Sequence, residues 1–350
     1  MSIARRNGFT WVELLVVICV LALLMAMLLP ALQQSRTPGR RNTCNSNLHN
    51  LALAMTGYAG AKGEFPGYLE PLPIRPDGDA PRGQVARVTW LVPILPYLER
   101  TDIYDLYRAG DYLKTGAPAD FDPRRVYMNI LTCPSSAKND PHKLPVPPCN
   151  YVINTGRADV FASAGGDDMP GYPNDWRANG VFFNHYRDGV VLPDDSPLVK
   201  IDLDYITVHD GSSLTVMMSE RIDTGSYSFP PASALDTEAA LGFVWWPSTS
   251  NQPPYNPPLP AHRINGPDDT MPINNARPTS KHPTGVNVAF CDGHTRFVHE
   301  DIDYGVWCLL LTPYGAEANT PGEVKLAPAG TSNNYKYLRE AQIDESIISQ

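Results

Sequence analysis

Two hydrophobic patterns follow one another in the first sixty residues. From Leu14 to Leu29 every position is apolar, and the run continues through Pro30, Ala31 and Leu32. With Phe9, Trp11 and Val12 it reaches the ~20 residues a helix needs to cross a bilayer. Beyond it, Leu48, Leu51, Ala52, Met55 and Ala59 recur at steps of three and four, the one-sided pattern of a helix packed on a domain. Pro30 and the pair Pro38-Gly39 predict a kink or interruption between the two halves.

Further along, TWLVPILPYLERTDIYDLY mixes Trp90, Leu91, Ile94 and Leu95 with Pro93 and Pro96. It reads as a buried, turn-rich segment leading into a short helix from Leu98 to Tyr107. YMNILTCPSS reads as a short strand running into a proline turn. Two stretches, VHDGSSLTVMMSE and VAFCDGHTRFVHE, place Asp-Gly between alternating β-type residues. Asp-Gly suits a two-residue type I′ turn, which needs positive φ at both positions. With Asp292-Gly293 as the turn, Phe290 should face Thr295, and Val288 should face Phe297. Val286, Val288, Phe290 and Phe297 then share the core face. Asn287, Ala289, Cys291, His294, Arg296 and Val298 share the other. The first stretch repeats the geometry less cleanly, with Asp210-Gly211 as the turn and Glu220 closing the second strand.

Composition narrows the class. The formal charge of −9, from 28 Lys+Arg against 37 Asp+Glu, argues against a nucleic-acid partner. The 35 prolines in 350 residues are about twice the usual share of roughly 5%, so the body should be loop-rich and strand-rich. Six cysteines, at 19, 44, 133, 149, 291 and 308, are too few for a disulfide-scaffolded miniature fold. Cys133 and Cys149 bracket a loop rich in proline. A disulfide closing it would stabilise an exported domain by about 3 kcal/mol; two buried free thiols are the alternative. No Cys-x-x-Cys occurs, which argues against a zinc site.

One residue disturbs the apolar run. Glu13 sits just inside it, where a carboxylate costs roughly 2.5–3.5 kcal/mol on membrane-insertion scales. A secretory signal peptide would show a shorter apolar core and Ala-x-Ala spacing, which LLPALQQSR lacks. A plain signal anchor leaves Glu13 and the Gly8-Phe9 junction unexplained. Arg5-Arg6, then Gly8-Phe9-Thr10, then Glu13 and an unbroken apolar run closely resemble the leader of type IV prepilins and pseudopilins. The departure is Trp11, where that family usually carries a small or branched aliphatic residue.

The resemblance implies cleavage by a prepilin peptidase between Gly8 and Phe9 and N-methylation of Phe9. It also implies that Glu13 is the fifth residue of the mature chain, pairing with a neighbouring subunit's terminal amine. A carboxylate in an apolar bundle is tolerable only when paired. His282, followed after nine residues by Asp292-Gly293, further resembles the prepilin-type proteins with an H-X9-DG processing-associated domain, a bacterial family of no established activity. RRNTCNSNLHNLALAMTGY, GEFPGY, WLVPILPYLE, LTCPSS, CNYVINTG and ITVHDGSSLTVMMSE stand in that family's order, so the likeness covers about residues 1 to 305.

Chemistry is sparse. His282, Asp292 and His294, with Asp210 and Glu220, are the side chains that would form a metal or catalytic site. Asp292, however, is already required by turn chemistry, and His282 can serve by hydrogen-bonding backbone. No His-x-x-x-His, Gly-x-Ser-x-Gly or phosphate loop occurs. The acidic pairs within 165–168 and 193–196 lack the spacing of a calcium loop and read as solvated turns. The aromatics of 174–185 and 243–247 read as core strands, with a carbohydrate or peptide groove as the other reading.

The expectation is therefore an α+β, pilin-like fold: a long N-terminal helix, its first half membrane-spanning and its second amphipathic, packed on an antiparallel β-sheet with proline-rich loops. The basic leader is 1–8, the membrane helix 9–32, the extracytoplasmic domain 33–310, and the C-terminal extension 311–350. The expected protein is non-enzymatic, without cofactor or metal. It would be held single-pass in the bacterial cytoplasmic membrane with its N-terminus cytoplasmic, and its partners would be the prepilin peptidase and other pilin-like subunits of a type II secretion or pilus apparatus. A membrane-anchored solute- or glycan-binding module is the alternative, and a metal-dependent hydrolase a further one.

Overall fold

A computed structural model describes residues 10–75, 85–113, 122–136, 147–157, 177–186, 198–222, 240–246, 256–257, 259–270, 272–315 and 318. Side chains 27–37 are outside that description. Helix α1, Trp11–Lys62, starts on an N-cap, Thr10, whose hydroxyl accepts from the Glu13 N–H. It ends on Gly63 at φ 77°, a left-handed position that glycine adopts without steric cost. Pro30 and Pro38 lie within it, so the expected interruption is absent from the backbone.

The N-terminal expectation needs a correction. Among the described residues no helix is long and apolar enough to cross a membrane. From Cys44 to Ala59 the helix is one-sided, burying Cys44, Leu48, Leu51, Ala52, Met55 and Ala59.

That stripe packs across a five-stranded sheet in the order β5-β3-β4-β6-β7. The strands are β3 (Tyr151–Arg157), β4 (Val216–Glu220), β5 (Gly242–Trp245), β6 (Gly285–Phe290) and β7 (Thr295–His299). β3 pairs antiparallel with β4 but parallel with β5, so the sheet is mixed and not antiparallel as expected. The parallel pair is reached by a long excursion, whereas tight hairpins alone would make only antiparallel neighbours. Two further strands, β1 (Leu69–Pro73) and β2 (Val85–Thr89), form a separate antiparallel ribbon. In chain order α2 (Leu91–Ile94) and α3 (Thr101–Ala109) follow the ribbon, and α4 (Leu203–Val208) lies between β3 and β4. The segment expected as a strand before Cys133 is a 3₁₀ turn, Asn129–Leu131.

Both sheet faces are covered. One face places Tyr151, Ile153, Met217, Met218, Ala289 and Cys291 in the core shared with α1. The other places Val152, Val216, Phe243, Val286, Val288 and Phe290 against α5 (Tyr304–Leu311) through Trp307 and Leu310. This is why β6 is buried at every position: a strand covered on both faces reads as a continuous apolar run. Phe243 and Trp245 are buried in β5 as expected, whereas Phe182 and Phe183 are buried in a loop and not in a strand.

The β6–β7 hairpin forms, but with a different turn. Phe290 N–H donates to His294 O, and Gly293 N–H to Phe290 O, leaving Cys291-Asp292-Gly293 as a three-residue loop. Gly293 has φ 92°, while Asp292 is not among the positive-φ residues; a type I′ turn needs both. The extra residue shifts the register by one, so Phe297 opposes Asn287 and Val298 opposes Val286. Phe297 therefore leaves the expected face and lies under the Arg41 guanidinium, 3.6 Å from its ring centre. The Asp210-Gly211 stretch is not a hairpin: α4 precedes it, and only β4 follows.

Candidate functional site

Four elements bring polar side chains to one buried place. α1 supplies Cys44, the turn after the 3₁₀ segment supplies Cys133, β4 ends in Glu220, and the loop before β6 supplies His282. None is more than 4% exposed. Their donor atoms, Sγ, Sγ, a carboxylate oxygen and an imidazole nitrogen, all lie within 4.8 Å of one another.

Cys44 and Cys133 form a disulfide with Cα atoms 4.9 Å apart, within the span a disulfide bridges. The Cys133–Cys149 pairing is thereby corrected. Cys149 turns the other way, its thiol donating to Tyr151 O at 3.2 Å, and it is a buried free thiol with Cys291 and Cys308. Burial pushes the Cys149 thiol up to about 12, so it stays protonated. Cys44 carried a signal of its own: it precedes Leu48 by four residues and so extends the buried stripe of α1.

Glu220 is fully engaged without any partner from solvent. Its Oε2 accepts Asn287 N–H at 3.1 Å. Its Oε1 accepts Asn287 Nδ2–H at 3.0 Å and faces His282 Nε2 at 3.2 Å. The same imidazole nitrogen lies 3.7 Å from Cys133 Sγ. Asn150 extends the network, its Oδ1 accepting Cys133 N–H at 3.1 Å, while Tyr151 donates its hydroxyl to Cys44 O at 3.1 Å. A carboxylate this deep is stable because both of its oxygens find buried donors.

The candidate residues divide into three places. His282 and Glu220 meet. Asp292 and His294 lie at the far end of β6, about 16 Å away at roughly 3.3 Å per residue. There Asp292 Oδ1 accepts His294 N–H at 3.0 Å, with His294 Nδ1 at 2.6 Å, and the imidazole stacks on Phe290. Gly293 O accepts from His49 Nδ1–H of α1 at 2.9 Å, which ties the turn to the helix. His282, Asp292 and His294 therefore cannot share one ion. Asp210 belongs to neither place; its Oδ2 accepts Gly315 N–H at 2.6 Å.

A second imidazole–carboxylate pair, part-buried, was not legible in the sequence. His185 Nδ1 lies 2.7 Å from Glu70 Oε1 and its Nε2 lies 3.1 Å from Val199 O. The two residues are 115 apart and no local pattern connects them. Of the N-terminal residues, Gly8 and Phe9 lie outside the described residues. Glu13 completes a capping box, Oε2 accepting both Thr10 N–H and the Thr10 hydroxyl at 2.8 Å. The acidic pairs in 165–168 and 193–196 also lie outside the described residues.

A family model described as "Protein of unknown function (DUF1559)" matches residues 33–305. The chain belongs to that family. The match contains every residue of the buried cluster and the whole five-stranded sheet, and stops before the end of α5. No curated protein and no solved structure matches the chain.

Proposed function

We propose that this family member is a non-enzymatic, prepilin-type protein, processed between Gly8 and Phe9 by a prepilin peptidase and methylated at Phe9. The observation that carries the reading is the position of the Glu13 carboxylate. It is folded back over the first turn of α1 onto Thr10 N–H, one residue from where the mature chain would begin. A new terminal amine would therefore emerge beside a carboxylate, and a neighbouring subunit's amine can replace the Thr10 contacts with a charge-assisted pair. Beyond it Trp11, Val12, Leu14, Leu15 and Val16 are exposed, an apolar surface that other subunits of a secretion or pilus-like apparatus would cover. The H-X9-DG motif then serves architecture: His282 anchors β4 through Glu220, and Asp292-Gly293 shapes the turn that α1 holds through His49. An extracytoplasmic location for the body accords with a disulfide between distant segments.

The test is the mass of the N-terminal peptide from cells with a working prepilin peptidase. Methylated Phe9 at the terminus is the expected result, and a Glu13→Ala chain should be cleaved but fail to cross-link to neighbouring subunits. An intact Met1 or Ser2 terminus would overturn the proposal.

A further inference from the structure

We infer that the buried cluster is a two-state site: a disulfide when oxidised, and a four-coordinate transition-metal site, built for Zn²⁺, when reduced. Cys44, Cys133, Glu220 and His282 offer two sulfurs, one oxygen and one nitrogen within 4.8 Å of one another. Zinc takes four such ligands in a tetrahedron at about 2.3 Å to sulfur and 2.0–2.2 Å to nitrogen or oxygen. Those lengths place neighbouring ligand atoms roughly 3.3–3.8 Å apart. Two edges of that tetrahedron already exist, His282 Nε2 to Glu220 Oε1 at 3.2 Å and His282 Nε2 to Cys133 Sγ at 3.7 Å. The two bonded sulfurs must separate, and the remaining edges, all within 4.8 Å, must settle to ligand spacing. The carboxylate is also aimed in advance, because Asn287 N–H holds its other oxygen.

The chemistry balances as follows. A dithiol reductant gives two electrons and two protons to the Cys44–Cys133 bond, becoming a cyclic disulfide and leaving two cysteine thiols. Zn²⁺ then displaces those two protons to solvent, the imidazole proton that Nε2 directs at Glu220 passes to Nδ1, and Nε2 binds through its freed lone pair. Two thiolates and one carboxylate against Zn²⁺ leave a single negative charge beside the two hydrogen-bond donors of Asn287. In the disulfide state the sulfurs have no charge to offer, so the two states exclude one another. The absence of Cys-x-x-Cys does not bear on this site, whose ligands come from 44, 133, 220 and 282.

Cobalt titration of the full-length chain tests the inference, with Co²⁺ reporting tetrahedral thiolate ligation by its absorption. Protein reduced with dithiothreitol and desalted anaerobically should take up one equivalent of Co²⁺, show thiolate-to-metal charge-transfer bands, and release it to equimolar Zn²⁺. The oxidised chain should take up none. His282→Ala and Glu220→Gln should weaken the reduced site at least tenfold, and Cys149→Ala should leave it unchanged. A reduced chain with native near-ultraviolet circular dichroism that shows no charge-transfer bands overturns the proposal. So does a reduced chain that unfolds and is not restored by Zn²⁺, or a Cys44→Ala/Cys133→Ala chain that binds Co²⁺ like the wild type.

Discussion

Removing the Cys44–Cys133 bond tests the frame on which the domain rests. The bond joins residues 89 apart in sequence, and the chain-entropy relation gives about 4.6 kcal/mol for a loop of that length near room temperature. The same relation gives only about 3 kcal/mol for a loop as short as 133–149. The perturbation is Cys44→Ala/Cys133→Ala, compared with Cys149→Ala in urea titrations followed by fluorescence, without reductant and with a chelator present. At an m value of about 3 kcal/mol per molar the double variant should lose roughly 1.5 M in its midpoint. Cys149→Ala removes one buried sulfur and leaves the cross-link intact, so it should lose about 1 kcal/mol. Peptide mapping of the wild type should recover 44 joined to 133. A double variant within about 0.3 M of the wild type, or a peptide joining 133 to 149, would refute the reasoning.

Asp210 should make the protein more stable in weak acid than at neutral pH. Burial raises its carboxyl from the ordinary 3.8 to about 6, against the opposing pull of the Gly315 N–H. Because the folded-state value lies above the unfolded one, its contribution is fully present below pH ~4 and is lost as pH rises through about 6. The gap corresponds to about 3 kcal/mol at most, so Asp210→Asn, which keeps an acceptor for Gly315, should stabilise the protein by about 1–3 kcal/mol at neutral pH. Thermal melts across pH 4–8 in which the two proteins stay parallel would contradict this. Glu220→Leu should destabilise by about 3–5 kcal/mol, since Asn287 N–H, Asn287 Nδ2 and His282 all lose their acceptor in the core. Amide exchange should then show β6 opening; unchanged protection of Asn287 would argue that the contact carries no stability.

The two hydrophobic signals that read true were both periodic. Leu48, Leu51, Ala52, Met55 and Ala59 lie on the buried side of α1, and Val286, Val288 and Phe290 on one buried face of β6. Such patterns are written in neighbouring residues because burial on one side of a repeating backbone imposes its period locally. The register of the hairpin was not written there. Asp-Gly suits more than one turn, and the single extra residue in Cys291-Asp292-Gly293 moved every opposite partner by one.

The sequence by itself determined the amphipathic part of α1 and the alternation of β6. It also presented the polar side chains His282, Glu220, Cys44 and Cys133 without saying which belong together. Only the tertiary structure decided that Cys44 and not Cys149 reaches Cys133, that His282 meets Glu220 and not Asp292, and that β5 joins the sheet in parallel. The reason is the distance along the chain. The disulfide spans 89 residues and the imidazole–carboxylate contact spans 62, and pairings of that separation are set by how helix and sheet stack, which no local period records.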